Sequence, residues 1–261
     1  MAESGNIRPI GLTRALSKLG YCSRSQAAEL VRAGRVRVNG AVRRSPKAPV
    51  HLDRDRLEVD GQPALARESV YLVMNKPRGL VTTASDEKGR ETIYSLLDSA
   101  NYSWLAPVGR LDKASEGLLV LTNDSEWGAR LAAPESHLDK TYHVQIDRLA
   151  DKVILGALLE GVEDRGECLR ARSARLLRSG EKHCWLEIVL DEGRNRHIRR
   201  MLQTLGIGVL RLVRVAIGPL ELGSLAKGAT RALSRVEKHA LDRVIQQPEP
   251  VTRGRRRATS T

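Results

Sequence analysis

In the stretch Pro107 to Asp124, PVGRLDKASEGLLVLTND, one carboxylate, Asp112, stands two residues after Arg110 and directly before Lys113. With a reference pKa of about 3.9, an aspartate is ionised at neutral pH and needs no neighbour to deprotonate it. It can serve as a nucleophile or as a base, and a nearby arginine would be of most use in fixing its geometry. The apolar run Gly117, Leu118, Leu119, Val120, Leu121 has the length of a buried strand and is bounded by the turn pair Asn123-Asp124. Asp112 is therefore expected at the end of a loop that feeds a rigid strand. On residue types alone the competing reading is a loop acid paired with Arg110 or Lys113, an arrangement that contributes little.

Other reactive groups are sparse. Cys22, Cys168 and Cys184 have no CxxC spacing, and the six histidines form no HExxH pattern, so no metal is expected. No GxGxxG and no lysine-bearing phosphate loop is present, so no cofactor is expected either. Any chemistry falls to side chains unaided. His143 and His197 are read as surface or hydrogen-bonded histidines rather than as acid–base groups.

The elements that must position Asp112 can be read in order. Residues 1–9 are polar and expected to be loose, and residues 10–63 read as a compact basic module. In it Leu12, Ala15, Leu16 and Leu19 recur at helical spacing, and Ser23 caps a second helix over Arg24–Ala33. Arg35 to Val38 alternates like a half-buried strand before the hairpin signal Asn39-Gly40. Residues 64–69 read as a link, and residues 70–245 as a second domain that opens with the strand Val70–Met74 and the turn Asn75-Lys76-Pro77-Arg78-Gly79. A short helix is expected from Thr92 to Leu97. Asn123 and Glu126 have capping-box spacing for a helix carrying Trp127 and Leu131. Lys140–Ile146 alternates strictly, with Tyr142, Val144 and Ile146 on one face; on spacing alone Tyr142 is a core tyrosine. A helix over Leu149–Leu159 and a strand over Cys184–Leu190 follow. Next come a helix with Ile198, Leu202 and Leu205 inward, an extended Val209–Ile217, and a last helix capped by Ser234 and Glu237. Arg199 lies beside that inward stripe, not in it. The tail 246–261, with Arg253-Gly254-Arg255-Arg256-Arg257, is disordered by composition. Strands and helices interleave without a repeating βα unit, which predicts an α+β fold with a mixed, mostly antiparallel sheet.

Lys plus Arg outnumber Asp plus Glu by 44 to 31, for a net charge of +13 and a pI near 10.1. Such a balance points to a polyanion, with nucleic acid first. No apolar stretch is long enough to span a membrane and no signal-peptide pattern opens the chain, so the cytoplasm is the default location. A monomer is expected.

Three motifs add a resemblance. GRLDKASEGLLVLTND and MNKPRGLVTT resemble the catalytic motifs of the RsuA family of bacterial ribosomal RNA pseudouridine synthases. TRALSKLGYCSRSQAAELVRAGRVRVNG resembles the S4-type RNA-binding domain. The resemblance spans about residues 11 to 245 and implies a central mixed sheet with the active-site cleft across it. It makes Asp112 the nucleophile. Through EGRNRHIRRM it makes Arg199 the residue that orients Asp112, and through KTYHVQI it makes Tyr142 the platform stacked on a flipped target base. Arg14, Lys18, Arg24, Arg32, Arg35 and Arg37 become an RNA-tracking face, and Arg110, Lys76 and Arg78 contacts to the RNA strand; for the last two, a turn that merely exposes charge is the alternative. The implied partner is ribosomal RNA, free or in a pre-ribosomal particle, and EGRNRHIRRM leans towards enzymes of the large subunit. Two rivals stay open: an RNA-binding ribosome-assembly factor without activity, and a transfer-RNA enzyme.

Overall fold

The computed structural model describes residues 8–83, 88–97, 102 and 104–246. Residues 1–7 of the expected loose N-terminus, 84–87 of the charged loop and 247–261 of the basic tail lie outside the described residues.

The N-terminal module runs β1 (Ile10–Gly11), α1 (Leu12–Lys18), α2 (Arg24–Arg32), β2 (Val36–Val38), β3 (Ala41–Val42), β4 (Pro49–Val50), β5 (Leu57–Val59) and β6 (Gln62–Pro63). Ser23 starts α2 with a reciprocal capping box: its hydroxyl accepts from the Gln26 amide while the Gln26 side chain accepts from its own. The helices put Leu12, Ala15, Leu16, Ala27 and Val31 against Val36, Val38, Leu57 and Val59 in one buried cluster. Alternation in β2 turns Arg37 outward, as expected.

The second domain contains β7 (Tyr71–Lys76), β8 (Ala106–Val108), β9 (Glu116–Thr122), α3 (Ser125–Ala132), β10 (Lys140–Ile146), α4 (Lys152–Glu160), β11 (Val162–Asp164) and β12 (Glu167–Leu169). It continues through β13 (Ser173–Ser179), β14 (Cys184–Leu190), α5 (His197–Thr204), β15 (Val209–Ile217), β16 (Leu220–Glu221), β17 (Thr230–Ala232) and α6 (Arg235–Gln246). A nine-stranded sheet follows the order β13-β14-β10-β15-β9-β7-β17, with β16 on β15 and β8 on β9. Every pairing in it is antiparallel except β9 with β15, joined through Glu116 with Val213 and Gly117 with Arg214. The fold is thus α+β with a mixed, mostly antiparallel sheet.

That one parallel seam requires Gly117. Its φ is +104°, and a Cβ there would meet the Arg214 amide nitrogen at 2.8 Å and the Arg214 carbonyl oxygen closer still.

Two helix starts differ from the sequence reading. The cap of α3 is Asp124, whose carboxylate accepts from the Trp127 amide. Asn123 is buried instead, accepting from the Val70 amide and donating to the Glu68 carbonyl, so it ties the interdomain link to the end of β9. Helix α4 starts at Lys152 because Asp151 caps it, which leaves Leu149 exposed outside the helix.

Candidate active site

Asp112 sits in the turn between β8 and β9, half-buried, on the wall of a cleft of about 360 Å³. Such a volume is in the range of small-ligand sites. The turn is fixed through its backbone. Five successive carbonyls, from Leu111 to Ser115, are each held from outside or within the turn. The Thr82 hydroxyl donates to Leu111 (2.8 Å) and accepts from its amide (3.3 Å). Lys76 Nζ donates to Asp112 (3.3 Å) and Ser115 (2.9 Å), and also to Pro77 (3.1 Å). The Gly79 amide donates to Lys113 at 2.8 Å, and Arg199 Nη2 donates to Ala114 at 3.0 Å. A carboxylate on so constrained a backbone is held in position before any ligand arrives.

Lys76 therefore corrects its assignment to the RNA strand. Its side chain is fully buried and its ammonium is surrounded by carbonyls, so it cannot reach a phosphate. Burial pushes its pKa down to about 8, against the opposing fields of Asp112 and Glu116. The turn 77–79 does expose Arg78, which stays available to a ligand.

Arg199 reaches the Asp112 turn from α5. Its second contact is a long one to the Val209 carbonyl (3.5 Å), and its Nε is buried without a partner. Among the described residues no ion pair joins Arg199 to Asp112; the contact is to the turn two residues on. Burial lowers the pKa of the guanidinium, the Arg196 charge adds to this, and Asp112 opposes it.

Tyr142, on β10, lines the same cleft and packs between two apolar clusters, one holding Val144 and Leu212 and the other holding Leu111. Arg110 is exposed at the cleft, together with Arg194 and Arg196. Arg196 begins α5 in the left-handed region, φ +50°. His197 is neither exposed nor hydrogen-bonded: it is buried on the cleft wall with both ring nitrogens unpartnered and Glu192 at 3.8 Å. Burial lowers its pKa, which keeps the ring neutral. His143, by contrast, is half-buried and faces Glu187 of the neighbouring β14 at 3.5 Å.

Arg214 escaped the sequence reading. It is buried, lines the cleft and donates through Nε to the Leu118 carbonyl at 2.8 Å. A signal existed: on an alternating strand, Arg214 shares the face of the core residue Leu212.

In the N-terminal module, Arg24, Arg32 and Arg37 are exposed with no ion pair among the described residues, whereas Arg35 is held by both oxygens of Asp60 (2.8 and 2.5 Å). Arg14 (3.4 Å) and Lys18 (3.0 Å) pair with Glu126 of α3, so they face the second domain as well as solvent.

Residues 70–204 match the model of the RNA pseudouridylate synthase family, and residues 11–55 match that of the S4 domain. The chain belongs to the RNA pseudouridylate synthase family. It is an isomerase with an N-terminal S4 domain. An uncharacterized RNA pseudouridine synthase of Aquifex aeolicus (strain VF5) is 36% identical over 237 residues, covering 90% of this chain and 95% of that one. The ribosomal large subunit pseudouridine synthase B of Bacillus subtilis (strain 168) is 33% identical over 225 residues, covering 85% and 91%. A crystal structure of a pseudouridylate synthase superposes on this synthase with a TM-score of 0.62 at 30% identity, covering 89% of this chain and 99% of that one. A synthase of this family acts on RNA, which agrees with the basic surface.

Proposed function

We propose that this synthase converts a uridine of ribosomal RNA, in the large subunit, to pseudouridine, with Asp112 as the reacting carboxylate. The observation that carries the reading is that Asp112, on its backbone-held turn, and Tyr142 line one cleft rimmed by exposed arginines. The reaction breaks the bond from ribose C1′ to uracil N1 and forms one from C1′ to C5. A proton leaves C5 and one is gained at N1, so no redox partner is needed. Asp112 acts as nucleophile or base, Tyr142 offers the flipped base a stacking surface, and Arg199 is a positioning residue acting through Ala114. The choice of large-subunit RNA draws on the name of the Bacillus subtilis relative and on EGRNRHIRRM. Under this reading the unit at 10–63 docks RNA through Arg24, Arg32 and Arg37, residues 64–69 link it to the catalytic unit at 70–245, and the protein works as a cytoplasmic monomer. Its phosphate contacts position the RNA while its folded shape selects the site.

The test is pseudouridine mapping of ribosomal RNA from cells with the gene deleted, then complemented. One large-subunit site should vanish and return with the intact gene but not with Asp112→Asn. The purified Asp112→Asn protein should keep RNA affinity within about threefold, because the turn is held by carbonyls and not by the carboxylate. Turnover by Asp112→Asn would overturn the assignment of Asp112. A site lost only from transfer RNA would overturn the substrate.

A further inference from the structure

On the cleft face of the sheet, Tyr142 of β10 stands opposite Arg214 of β15, and Lys140 lies two residues before Tyr142 on the same strand. Both cations line the cleft. Arg214 is 5% exposed; one guanidinium nitrogen donates to Leu118, while Nη2 is buried with no partner. Among the described residues no carboxylate pairs with either cation. The nearby acids Asp139 and Asp191 influence Lys140 only at a distance, and Asp139 is engaged by Arg172 at 2.9 Å. Burial and the Arg214 charge both press the Lys140 ammonium towards its neutral form. Two cations without a carboxylate partner, one of them with a buried unpartnered nitrogen, are unfavourable unless a ligand brings acceptors to them.

We propose that Arg214 and Lys140 form a two-donor seat for the uracil ring, gripping its carbonyl oxygens while the ring is detached from the ribose. This rests on the reading of the cleft as the uridine-isomerising site. When the C1′–N1 bond breaks towards the base, its electron pair leaves with uracil, and the negative charge spreads from N1 onto O2 and O4. Fixed donors aimed at those atoms stabilise that state more than the neutral nucleoside. The geometry of the ring explains why there are two. A half-turn about the axis through N3 and C6 exchanges N1 with C5, which the isomerisation requires, and it also exchanges O2 with O4. Donors on either side of that axis meet a carbonyl before and after the turn, and the ring need not leave the pocket. Phosphates are the other acceptors RNA brings, but Arg110 and Arg196, exposed on the same cleft, are the more accessible donors to them.

The experiment uses the full chain and a target RNA fragment carrying uridine, 2-thiouridine or 4-thiouridine at the modified position, since sulfur accepts hydrogen bonds poorly. Wild-type protein must first convert the uridine RNA; if it makes no pseudouridine, the underlying reading fails and takes this inference with it. Arg214→Gln and Lys140→Gln should each slow single-turnover conversion by about 10²–10³-fold, the loss typical of a missing donor to developing charge. RNA affinity should stay within about threefold. The ratio of rates for uridine and the thio-substituted RNAs should change by tenfold or more between wild type and each variant, for both thio positions. Arg214→Lys should recover part of the rate. If Arg214→Gln fails to fold, Lys140→Gln and Arg214→Lys give the same comparison. Weaker RNA binding with an unchanged rate at saturation would overturn the seat, as would thio effects identical in wild type and variants.

Discussion

At the scale of single residues, the candidate site depends on groups that hold its backbone turn in place. The reacting role of Asp112 is the reading proposed above; that it ends a loop feeding a buried strand was legible in the sequence because it stands in a long, distinctive motif. Lys76 was not, because a lysine beside Pro77 and Gly79 in a turn reads as exposed charge. What reversed it is invisible without coordinates: three carbonyl oxygens, of Pro77, Asp112 and Ser115, converge on one buried ammonium. Replacing Lys76 by Met keeps the stem and removes the donors. Each buried carbonyl left unpaired costs about 1–3 kcal/mol, so a lowered melting temperature is expected. Turnover should fall by about 10²-fold as the Asp112 turn drifts, with RNA affinity unchanged. Equal activity at equal stability would show that the turn holds without Lys76.

The elements divide by how strongly one face is buried. Strands β10 and β14 were read with their observed bounds: β14 buries every second residue on the core, and β10 does so at Val144 and Ile146. Strand β13 was missed. It is an edge strand whose residues are all exposed or half-buried, so it carries no period to read. The cap of α3 was placed one residue early because Asn123 and Asp124 are both good caps; only the link to Val70 and Glu68 decides between them. Gly117 reads as part of an apolar run, yet it is where the parallel seam forms. Gly117→Ala would force a Cβ into the Arg214 backbone at an unfavourable φ, costing about 2–5 kcal/mol. Thermal unfolding should report that loss. A variant as stable as wild type would mean that β15 can move aside.

For the whole molecule, basic composition signalled RNA, but it could not say which charges meet RNA and which hold the domains together. Arg14 and Lys18 read as part of one outward face; in the fold they reach Glu126 across the domain boundary. Exposed pairs of this kind are worth about 0.2–1 kcal/mol each, enough to bias an orientation without stabilising a core. Glu126→Lys should therefore leave the melting temperature nearly unchanged and enlarge the particle seen by solution scattering. Identical scattering curves would show that the docking rests on other contacts. The seam between β9 and β15 has a further consequence, for the order of events in the cell. Its partners, Gly117 and Arg214, lie far apart along the chain, and long-range pairings form late because loop closure must come first. A nascent chain that ends before β15 has the carboxylate turn but lacks the strand beside it. The seam can close only after translation has passed β15, which ends at Ile217.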